Sequence, residues 1–313
     1  MALKVYRAHI FEILHQIVKS TMNIRLKILS TCTSFLTVLA LFTSCETQEE
    51  REEKDWCVFP EFEEMELVWA DEFDGPEIDT TKWSFEIGDG CDRPDSLCGW
   101  GNNELQYYTR NENNAFINDE GQLVIRAQRE IPPIEGREYS SARMISYGSG
   151  DWKYGRFDIR AKMPIGTGLW PAIWMLPSDT VYGVWPRSGE IDIMEYLGDK
   201  PREVIGTIHW GHDRWRFNTQ YFLAEPPDPS FHDEFHLFTC IWTEDCILFQ
   251  VDGQDIGVPN TRSTTLPSTW PFDQFFHMIL NVAVGGNLPG NPTPATTFPQ
   301  EMIVDYVRVY QVP

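Results

Sequence analysis

The chain has 313 residues, with 47 acidic and 25 basic side chains and a formal charge of −22. Phosphate binding depends on basic surface, so this balance argues against nucleic acid as a partner. Hydrophobic residues make up 42% and aromatic residues 13% of the chain, including 12 Trp, which excludes disorder throughout and a coiled coil. We expect a globular protein whose many Trp either pack in the core or stack on flat, partly apolar rings such as sugars.

The first 45 residues predict an export signal. They carry five basic residues against one acidic residue, a local charge of +4. The basic segment 22–27 precedes an apolar run over 28–42, which is the order found in a signal peptide. The run is too short and too polar for a membrane span. Met22 is the expected start of translation, with residues 1–21 as an upstream extension.

The signal ends in Phe42-Thr-Ser-Cys45, which resembles a bacterial lipoprotein cleavage site where the Cys becomes the acylated first residue. An ordinary secretory signal with an incidental Cys is the alternative. The following residues, 46–60, begin with a polar, acidic run that we expect to be a solvated tether. These features predict an exported outer-membrane lipoprotein, attached to the membrane only through a lipid anchor at Cys45. Display on the cell surface is a further hypothesis.

Five cysteines follow the signal, and because five is odd, at least one thiol stays free or pairs elsewhere. Cys91 and Cys98 bracket a loop, so they could form a disulfide. Cys240 and Cys246 flank a predicted hairpin turn and could face each other across it. The sequence contains no C-x-x-C pair, so a structural zinc site is not expected.

Residues 61–313 predict one all-β domain. Short apolar or alternating runs recur, separated by Gly, Pro, Asn and Asp, and no convincing amphipathic helix interrupts them. The predicted strands are 67–70, 123–127, 154–163, 204–209, 235–242, 247–251, 277–284 and 303–312. A turn is predicted at 251–254. The pattern is typical of a β-sandwich.

Three carboxylates concentrate in the segment Glu190-Ile-Asp-Ile-Met-Glu195. A solvated strand face explains alternating charges, but not acids set among so many apolar neighbours. Strand periodicity places Glu190 and Asp192 on one face, whereas Glu195 would fall on the other. A β-bulge around Ile193 and Met194 returns Glu195 to the face of its partners. Paired carboxylates serve glycoside hydrolysis, and the estimated spacing fits either a double displacement or direct attack by water.

This segment resembles the signature of glycoside hydrolase family 16, and the resemblance covers roughly residues 65–313. Segments similar to the laminarinase branch of that family lie at 67–74, 99–108, 141–143, 154–156, 168–177, 235–238, 251–253, 280–287 and 304–310. Because so many segments match and follow the same order, the agreement does not arise by chance. The resemblance implies a β-jelly-roll sandwich with a concave sugar-binding cleft, and hydrolysis of β-glucan with retention.

The family pattern also implies a role for each acid. Glu190 would be the nucleophile, Glu195 the general acid/base, and Asp192 a hydrogen-bond partner that helps set the protonation of Glu190. One carboxyl must be ionised to attack and the other protonated to release the leaving oxygen, and neighbouring negative charge raises the pKa of the second group. The implied substrate contacts are the aromatic residues Trp170, Trp174 and Trp185 and the polar residues Asn103, Arg143 and His209.

Other aromatic and His residues are assigned to the structure of the domain. Trp69, Trp83 and Trp242 are predicted core residues. His232 and His236 have i,i+4 spacing, but the Glu between them sits one place too late for a zinc motif. A metal site at His209 is disfavoured, because the segment 209–212 lacks a carboxylate partner in a helix.

The family often binds a structural calcium ion on its convex side. The matching ligands here would be the carbonyls of Glu72 and Gly121 and the carboxylate of Asp305, and oxygen ligands of this kind suit a hard cation. No cofactor is expected for catalysis, and we expect a monomer.

The first choice of substrate is β-1,3-glucan, because Met194 resembles the extra residue of the bulged laminarinase group. Mixed-linkage β-1,3-1,4-glucan is close behind, and galactan is a more distant alternative. A non-catalytic glucan-binding lipoprotein is a hypothesis from another class, and the presence of all three acids argues against it.

Overall fold

In the computed structural model the described residues are 57–93, 97–211, 216–224, 229–262 and 270–313. The predicted export signal, with Met22 and Cys45, and most of the tether lie outside them. The described chain is all-β, as predicted, and its helical elements are two 3-10 turns at Phe62–Glu64 and Cys98–Gly101. Within these ranges, no helix is long and apolar enough to cross a membrane.

In the part of the chain that the structure describes, the strands form two sheets that are packed face to face as a sandwich. The outer sheet has eleven strands: β1 (Glu66–Asp71), β3 (Gln106–Tyr108), β4 (Ala115–Ile117), β5 (Leu123–Ile134), β6 (Arg137–Ser141), β9 (Gly155–Lys162), β14 (His236–Trp242), β15 (Cys246–Val251), β16 (Gln254–Asp255), β17 (Asn260–Thr261) and β19 (Gln300–Gln311). The inner sheet has eight strands: β2 (Ser84–Phe85), β7 (Arg143–Ile145), β8 (Asp151–Trp152), β10 (Leu169–Pro177), β11 (Glu190–Tyr196), β12 (Glu203–Trp210), β13 (Arg216–Leu223) and β18 (Phe276–Val284).

The order of the inner sheet decides which residues meet at the site. Its strands run β13-β12-β11-β10-β18-β7-β2, with β8 beside β18. Strand β11, which carries the three acids, therefore has β10, β18 and β7 on one flank and β12 and β13 on the other. In the outer sheet the order is β16-β15-β14-β9-β19-β5-β6-β3, and β1 and β5 share one edge of β19.

The core lies between the two sheets because alternate residues of each strand point into that space. Met175, Ile191 and Leu280 of the inner sheet and Phe157 and Phe249 of the outer sheet are fully buried there. Trp83 and Trp242 are also buried, and Trp69 packs against the same core, so all three follow the prediction. All nine residues of β18 are buried, and this strand lies beside β10, on one flank of the strand that carries the acids.

The disulfides agree with the prediction only in part. Cys91 pairs with Cys98, as expected, whereas Cys246 pairs with Cys57 instead of Cys240. The hairpin register explains this correction, since Cys240 lies opposite Phe249 and not opposite Cys246. The Cys240 thiol is free and buried in the core, and burial raises its pKa.

Candidate active site

A β-bulge in β11 brings the three acids to one face of the inner sheet. Against β12, Asp192 lies opposite Thr207 and Glu195 opposite Ile205, so three steps along β11 match two along β12. Against β10, Ile173 and Trp174 are neighbours while their partners Met194 and Asp192 are not. The extra residue lies at Ile193 and Met194, which are both buried in the core. The predicted bulge is therefore confirmed.

Each glutamate accepts a hydrogen bond from a Trp indole. Trp185 Nε1 donates to Glu190 Oε2 at 2.6 Å, and Trp170 Nε1 donates to Glu195 Oε1 at 3.1 Å. Thr207 of β12 also donates its hydroxyl to Glu195 Oε2 at 3.4 Å. Two residues expected to contact sugar thus also orient the carboxyls, and Trp185 is still half exposed.

His209 of β12 lies across from the first two acids. Its Nε2 is 3.1 Å from Asp192 Oδ2 and 3.9 Å from Glu190 Oε1. The carboxylate partners that the local sequence of His209 lacks are supplied by the neighbouring strand. One ligand atom from each of these three residues lies within 4.8 Å of the others, a spacing that a metal ion could bridge. A cation held there would neutralise the acids that glycoside hydrolysis uses.

Burial is the main cause of the raised pKa values of the three acids. It raises the pKa of Glu190 to about 8, and the negative charge of Asp192 adds to the effect. It raises the pKa of Glu195 to about 7, opposed by His209 and reinforced by Glu190. Burial and Glu195 raise the pKa of Asp192 well above its ordinary value. The cluster therefore holds protons near neutral pH, as a set of acids that must donate and accept protons requires.

Arg143 and Trp174 lie on the β10 flank of the acids. The Arg143 guanidinium stacks between the rings of Trp100 and Trp174, at 4.5 and 4.7 Å from their centroids, and pairs with Glu86. Burial opposes the ionisation of Glu86, but Arg143 and Arg93 outweigh it and lower its pKa. Arg143 is thus fixed as a charged, nearly buried side chain beside the predicted aromatic track.

A buried chain of hydrogen bonds holds Trp174 from below. Its Nε1 donates to Asn281 Oδ1 at 2.7 Å, Asn281 Nδ2 donates to the Tyr108 hydroxyl at 3.0 Å, and that hydroxyl donates to Glu104 Oε2 at 3.3 Å. Gln106 also donates to Glu104 Oε2, at 2.6 Å. Burial raises the pKa of Glu104, although the hydrogen bonds from these donors lower it in part. The network ties Trp174 of the predicted sugar track to Asn281 of β18 and, through Asn281, to Tyr108 of β3.

Asn103 lies at the rim of this flank. Its backbone has a φ of 57°, and its side-chain amide donates to Asn287 Oδ1 at 2.8 Å. The neighbouring backbone of Gly286 lies beside Trp170, where a Cβ on this glycine would be 3.4 Å from the ring, in van der Waals contact. Of the six predicted substrate contacts, Trp170, Trp185 and His209 contact the acids, Trp174 and Arg143 line the β10 flank, and Asn103 lies at its rim.

Sequence reasoning did not single out several residues of this flank. Trp100, Tyr108 and Asn281 fall within segments that carry the family resemblance, so those segments were the available signal. Glu86 lies in none of them, and it becomes part of the site only because β2 pairs with β7.

The three predicted calcium positions lie away from the acids, at the outer sheet. Glu72 follows β1, Gly121 precedes β5, and Asp305 is in β19, where Gln122 donates to it at 3.4 Å. Asp305 Oδ2 is 2.7 Å from Arg160 Nη1, and the Glu72 carboxylate binds Arg308 through both oxygens at 2.8 Å. The oxygens fit a hard cation, but Asp305 already has a cationic partner that calcium would displace.

Comparisons with known proteins agree with this geometry. Residues 102–308 match the model of glycosyl hydrolases family 16. The chain is 43% identical over 262 residues to glucan endo-1,3-beta-glucosidase A1 of Niallia circulans, a match covering 79% of this chain and 38% of that protein. It is 44% identical over 255 residues to a beta-glucanase of Rhodothermus marinus, covering 79% and 85%. Among solved structures, the laminarinase catalytic domain of Thermotoga maritima is 42% identical with a TM-score of 0.72, covering 79% of this chain and 98% of that one.

Proposed function

The chain belongs to glycosyl hydrolases family 16, and from that premise we propose that it cleaves β-1,3-glucan chains internally with retention of configuration. The observation that carries the proposal is the bulge in β11, which sets Glu190, Asp192 and Glu195 on one face beside Trp174 and Arg143. A glucanase and a laminarinase among its relatives support the substrate class. The Niallia circulans relative extends well beyond the matched region, so its whole activity is not carried over.

In the proposed first step, an ionised Glu190 oxygen attacks the anomeric carbon of the bound glucosyl residue. The glycosidic C–O bond breaks as Glu195 gives its proton to the leaving oxygen, which leaves a covalent glycosyl–enzyme ester. In the free protein the pKa of Glu190, about 8, lies above the pKa of Glu195, about 7, which is the reverse of the order that these two roles require. Positive charge develops on the sugar ring in this step and opposes that order, because it favours the ionised form of Glu190.

In the second step, Glu195 accepts a proton from a water molecule that attacks the same carbon and releases Glu190. The raised pKa of Glu195 suits both roles, because an acid with a pKa of about 7 is protonated often enough to donate and ionised often enough to accept. Asp192 and His209 lie against Glu190 and adjust its charge through the two steps.

Product analysis tests the substrate. Purified protein is incubated with laminarin, lichenan and a galactan, and the products are sized and linkage-mapped, with the first-formed anomer read by NMR. We expect laminarin to give β-1,3-linked oligosaccharides of several lengths early in the reaction, released first as the β-anomer. Cleavage of lichenan alone would favour the mixed-linkage alternative. Binding of laminarin without products would favour the non-catalytic glucan-binding alternative.

We also propose a structural calcium ion between the carbonyls of Glu72 and Gly121 and the Asp305 carboxylate. Supporting this, Gly121 lies beside the backbone that follows Glu72, and the next residue, Gln122, reaches Asp305. Thermal unfolding is measured with chelator and with added calcium, in the wild type and in Asp305→Asn. We expect calcium to raise the wild-type melting temperature and to leave the variant unchanged. A wild-type temperature that calcium and chelator leave unchanged contradicts the site.

The proposal of export as a lipoprotein rests on the signal-like segment that ends at Cys45. We propose that the lipid on this Cys is the membrane attachment, that the acidic run behind it spaces the domain from the surface, and that the domain acts as a monomer. Protease treatment of intact cells tests surface display, since a displayed domain is removed. Cys45→Ser should release the protein from the membrane fraction, and sedimentation of the released domain gives its oligomeric state.

A further inference from the structure

The residues between β10 and β11 form a loop, 178–189, that leads directly into the first acid. Trp185 in this loop donates its indole N–H to Glu190 Oε2 at 2.6 Å, although the residue is half exposed. Packing holds a half-exposed ring less firmly than a buried one. The position of the indole against the carboxylate therefore depends on the backbone of the loop.

Ser188 ties the loop together from inside. Its hydroxyl accepts a hydrogen bond from the Tyr182 N–H at 3.1 Å and donates to the Gly183 carbonyl at 2.7 Å. The residue is almost fully buried. The backbone before Trp185 is thus bound to the side chain of a residue that follows it.

A buried amide, Gln274, joins this loop to the segment 270–275, which leads into β18. Its Nε2 donates to the Ser188 carbonyl at 3.0 Å and to the Pro271 carbonyl at 2.9 Å. Its Oε1 accepts a hydrogen bond from the Val181 N–H at 3.4 Å. Gln274 is buried, and its amide uses both its donor and its acceptor groups inside the protein. One side chain therefore bridges three backbone groups of two segments.

The segment 270–275 is itself fixed to the core. Phe272 is fully buried, and its carbonyl accepts a hydrogen bond from Trp242 Nε1 of β14 at 3.0 Å. A Cβ at Gly189 would lie 2.9 Å from the Phe272 ring, so the absence of a side chain lets the loop pack against this segment. That contact lies immediately before Glu190 in the chain.

A second link between the loop and this segment lies nearer the surface. The Tyr182 hydroxyl donates to Asp273 Oδ1 at 2.5 Å, and Arg262 Nη2 lies 3.5 Å from Asp273 Oδ2. Tyr182 is partly exposed, whereas Gln274 is buried. The two links have different surroundings, so they can be removed separately.

Gln274 contacts the loop on both sides of Trp185, at Val181 and at Ser188. We propose that Gln274 is a positioning residue for Glu190, which acts by fixing the loop so that the Trp185 indole reaches the carboxylate. This inference rests on the proposed function, in which Glu190 attacks as an anion. An N–H donor held against a carboxylate stabilises the ionised form.

The pH dependence of kcat/KM on laminarin tests the inference in Gln274→Met, which removes the amide and keeps the length of the side chain. The Trp185 donor lowers the pKa of Glu190, so its displacement should move the acidic limb of the profile to higher pH. We expect a shift of about half a pH unit, which lowers kcat/KM about threefold more on the acidic side than at higher pH.

Other groups that act on Glu190 stay in place in this variant. The titratable side chains that face it are Asp192 and Glu195 of its own strand and His209 of β12. Trp185→Phe, which removes the donor itself, should shift the acidic limb in the same direction. Adding Gln274→Met to Trp185→Phe should cause no further shift, because both changes act on one hydrogen bond.

Asn114→Leu is the matched control, because it also removes a buried amide that links neighbouring segments. Asn114 Nδ2 donates to the Arg126 carbonyl at 3.1 Å and to the Ser140 hydroxyl at 2.9 Å, both in the outer sheet. The control should lower the melting temperature, as Gln274→Met does. Its pH profile should be that of the wild type.

Tyr182→Phe removes the surface link and leaves the buried bridge, so it should fold and shift the acidic limb less, in the same direction. If Gln274→Met does not fold, this variant decides. An unshifted limb in the folded variants, an equal shift in Asn114→Leu, or a shift that adds to that of Trp185→Phe would overturn the inference and leave the proposed function intact. A wild-type protein that does not hydrolyse laminarin would overturn both.

Discussion

The flank of β11 formed by β10, β18 and β7 holds its side chains far more firmly than the flank formed by β12 and β13. On the first, Trp174 is tied through Asn281 and Tyr108 to a buried carboxyl, and Arg143 is fixed between two rings. On the second, the Thr207 hydroxyl contacts Thr219, and the rings of Phe217 and Tyr221 are more than half exposed. Substitutions on the first flank should therefore lower stability, whereas substitutions of exposed residues on the second should change it little.

The largest expected effect on activity comes from the acids of β11, the strand that lies between the two flanks. Glu190→Gln and Glu195→Gln should each lower kcat on laminarin by about 10²- to 10⁴-fold, since each removes the proposed nucleophile or the proposed general acid/base. Initial rates of reducing-sugar release measure this, with circular dichroism to verify folding.

The two variants should differ on β-laminaribiosyl fluoride, whose leaving group needs little protonation. Glu195→Gln should retain much more activity there than Glu190→Gln. Glu301→Gln, which changes a glutamate of the outer sheet paired with Arg126, is the matched control and should act like the wild type. Near-normal laminarin hydrolysis by either cleft variant would exclude the assigned roles.

A smaller effect should distinguish the firm flank from the loose one. Tyr108→Phe removes a buried hydroxyl and leaves Asn281 and Glu104 short of a partner, so we expect about 1–3 kcal/mol of lost unfolding free energy. Because Trp174 is then less firmly held, kcat/KM on laminarin should also fall. Urea denaturation and steady-state kinetics give both values.

Tyr221→Phe is the same chemical change on the other flank. The Tyr221 side chain is largely exposed, so its stability should change by less than about 0.5 kcal/mol. Equal destabilisation by Tyr108→Phe and Tyr221→Phe would show that the two flanks are not held differently.

The smallest effect is a pair of opposite shifts in the pH dependence. In the proposed mechanism Glu190 attacks in its ionised form, so activity should rise as the pH climbs through its pKa. The negative charge of Asp192 raises that pKa, and the Trp185 indole donor lowers it. Asp192→Asn should therefore move the acidic limb of the kcat/KM profile to lower pH, and Trp185→Phe should move it to higher pH. Shifts of both variants in one direction would contradict this account of Glu190.

Local pattern was enough to predict the strand class and the bulge. Glu190 and Glu195 are spaced so that a regular strand would place them on opposite faces, and one extra residue returns them to the same face. As the bulge requires, both Ile193 and Met194 lie in the core. The buried strands β9, β14 and β18 were also predicted, because their apolar runs are bounded by turn residues. The edge strand β13 was missed, since its alternation of aromatic and polar residues forms no continuous apolar run.

The sequence did not predict which strands are neighbours in a sheet or which residues pair across them. The pairing of Cys240 with Cys246 was judged from their positions around a turn, but the register set Cys240 opposite Phe249 and brought Cys57 to Cys246. Glu86 became a partner of Arg143 in the same way, through strands 57 residues apart in the chain. Such contacts depend on which strands are neighbours, and local periodicity carries no information about that.

The sequence by itself determined that this protein is an all-β chain with three acids on one strand, because strand period and apolar spacing are local properties. The segments of family resemblance added the expected role of each acid. Only the tertiary structure decided which side chains surround the acids, because the strand order brings β10 and β12 against β11 and buries the carboxyls between them. It alone gave the raised pKa values, the fixed Trp174 and the exposed aromatic surface of β13, since each arises from neighbours distant in sequence.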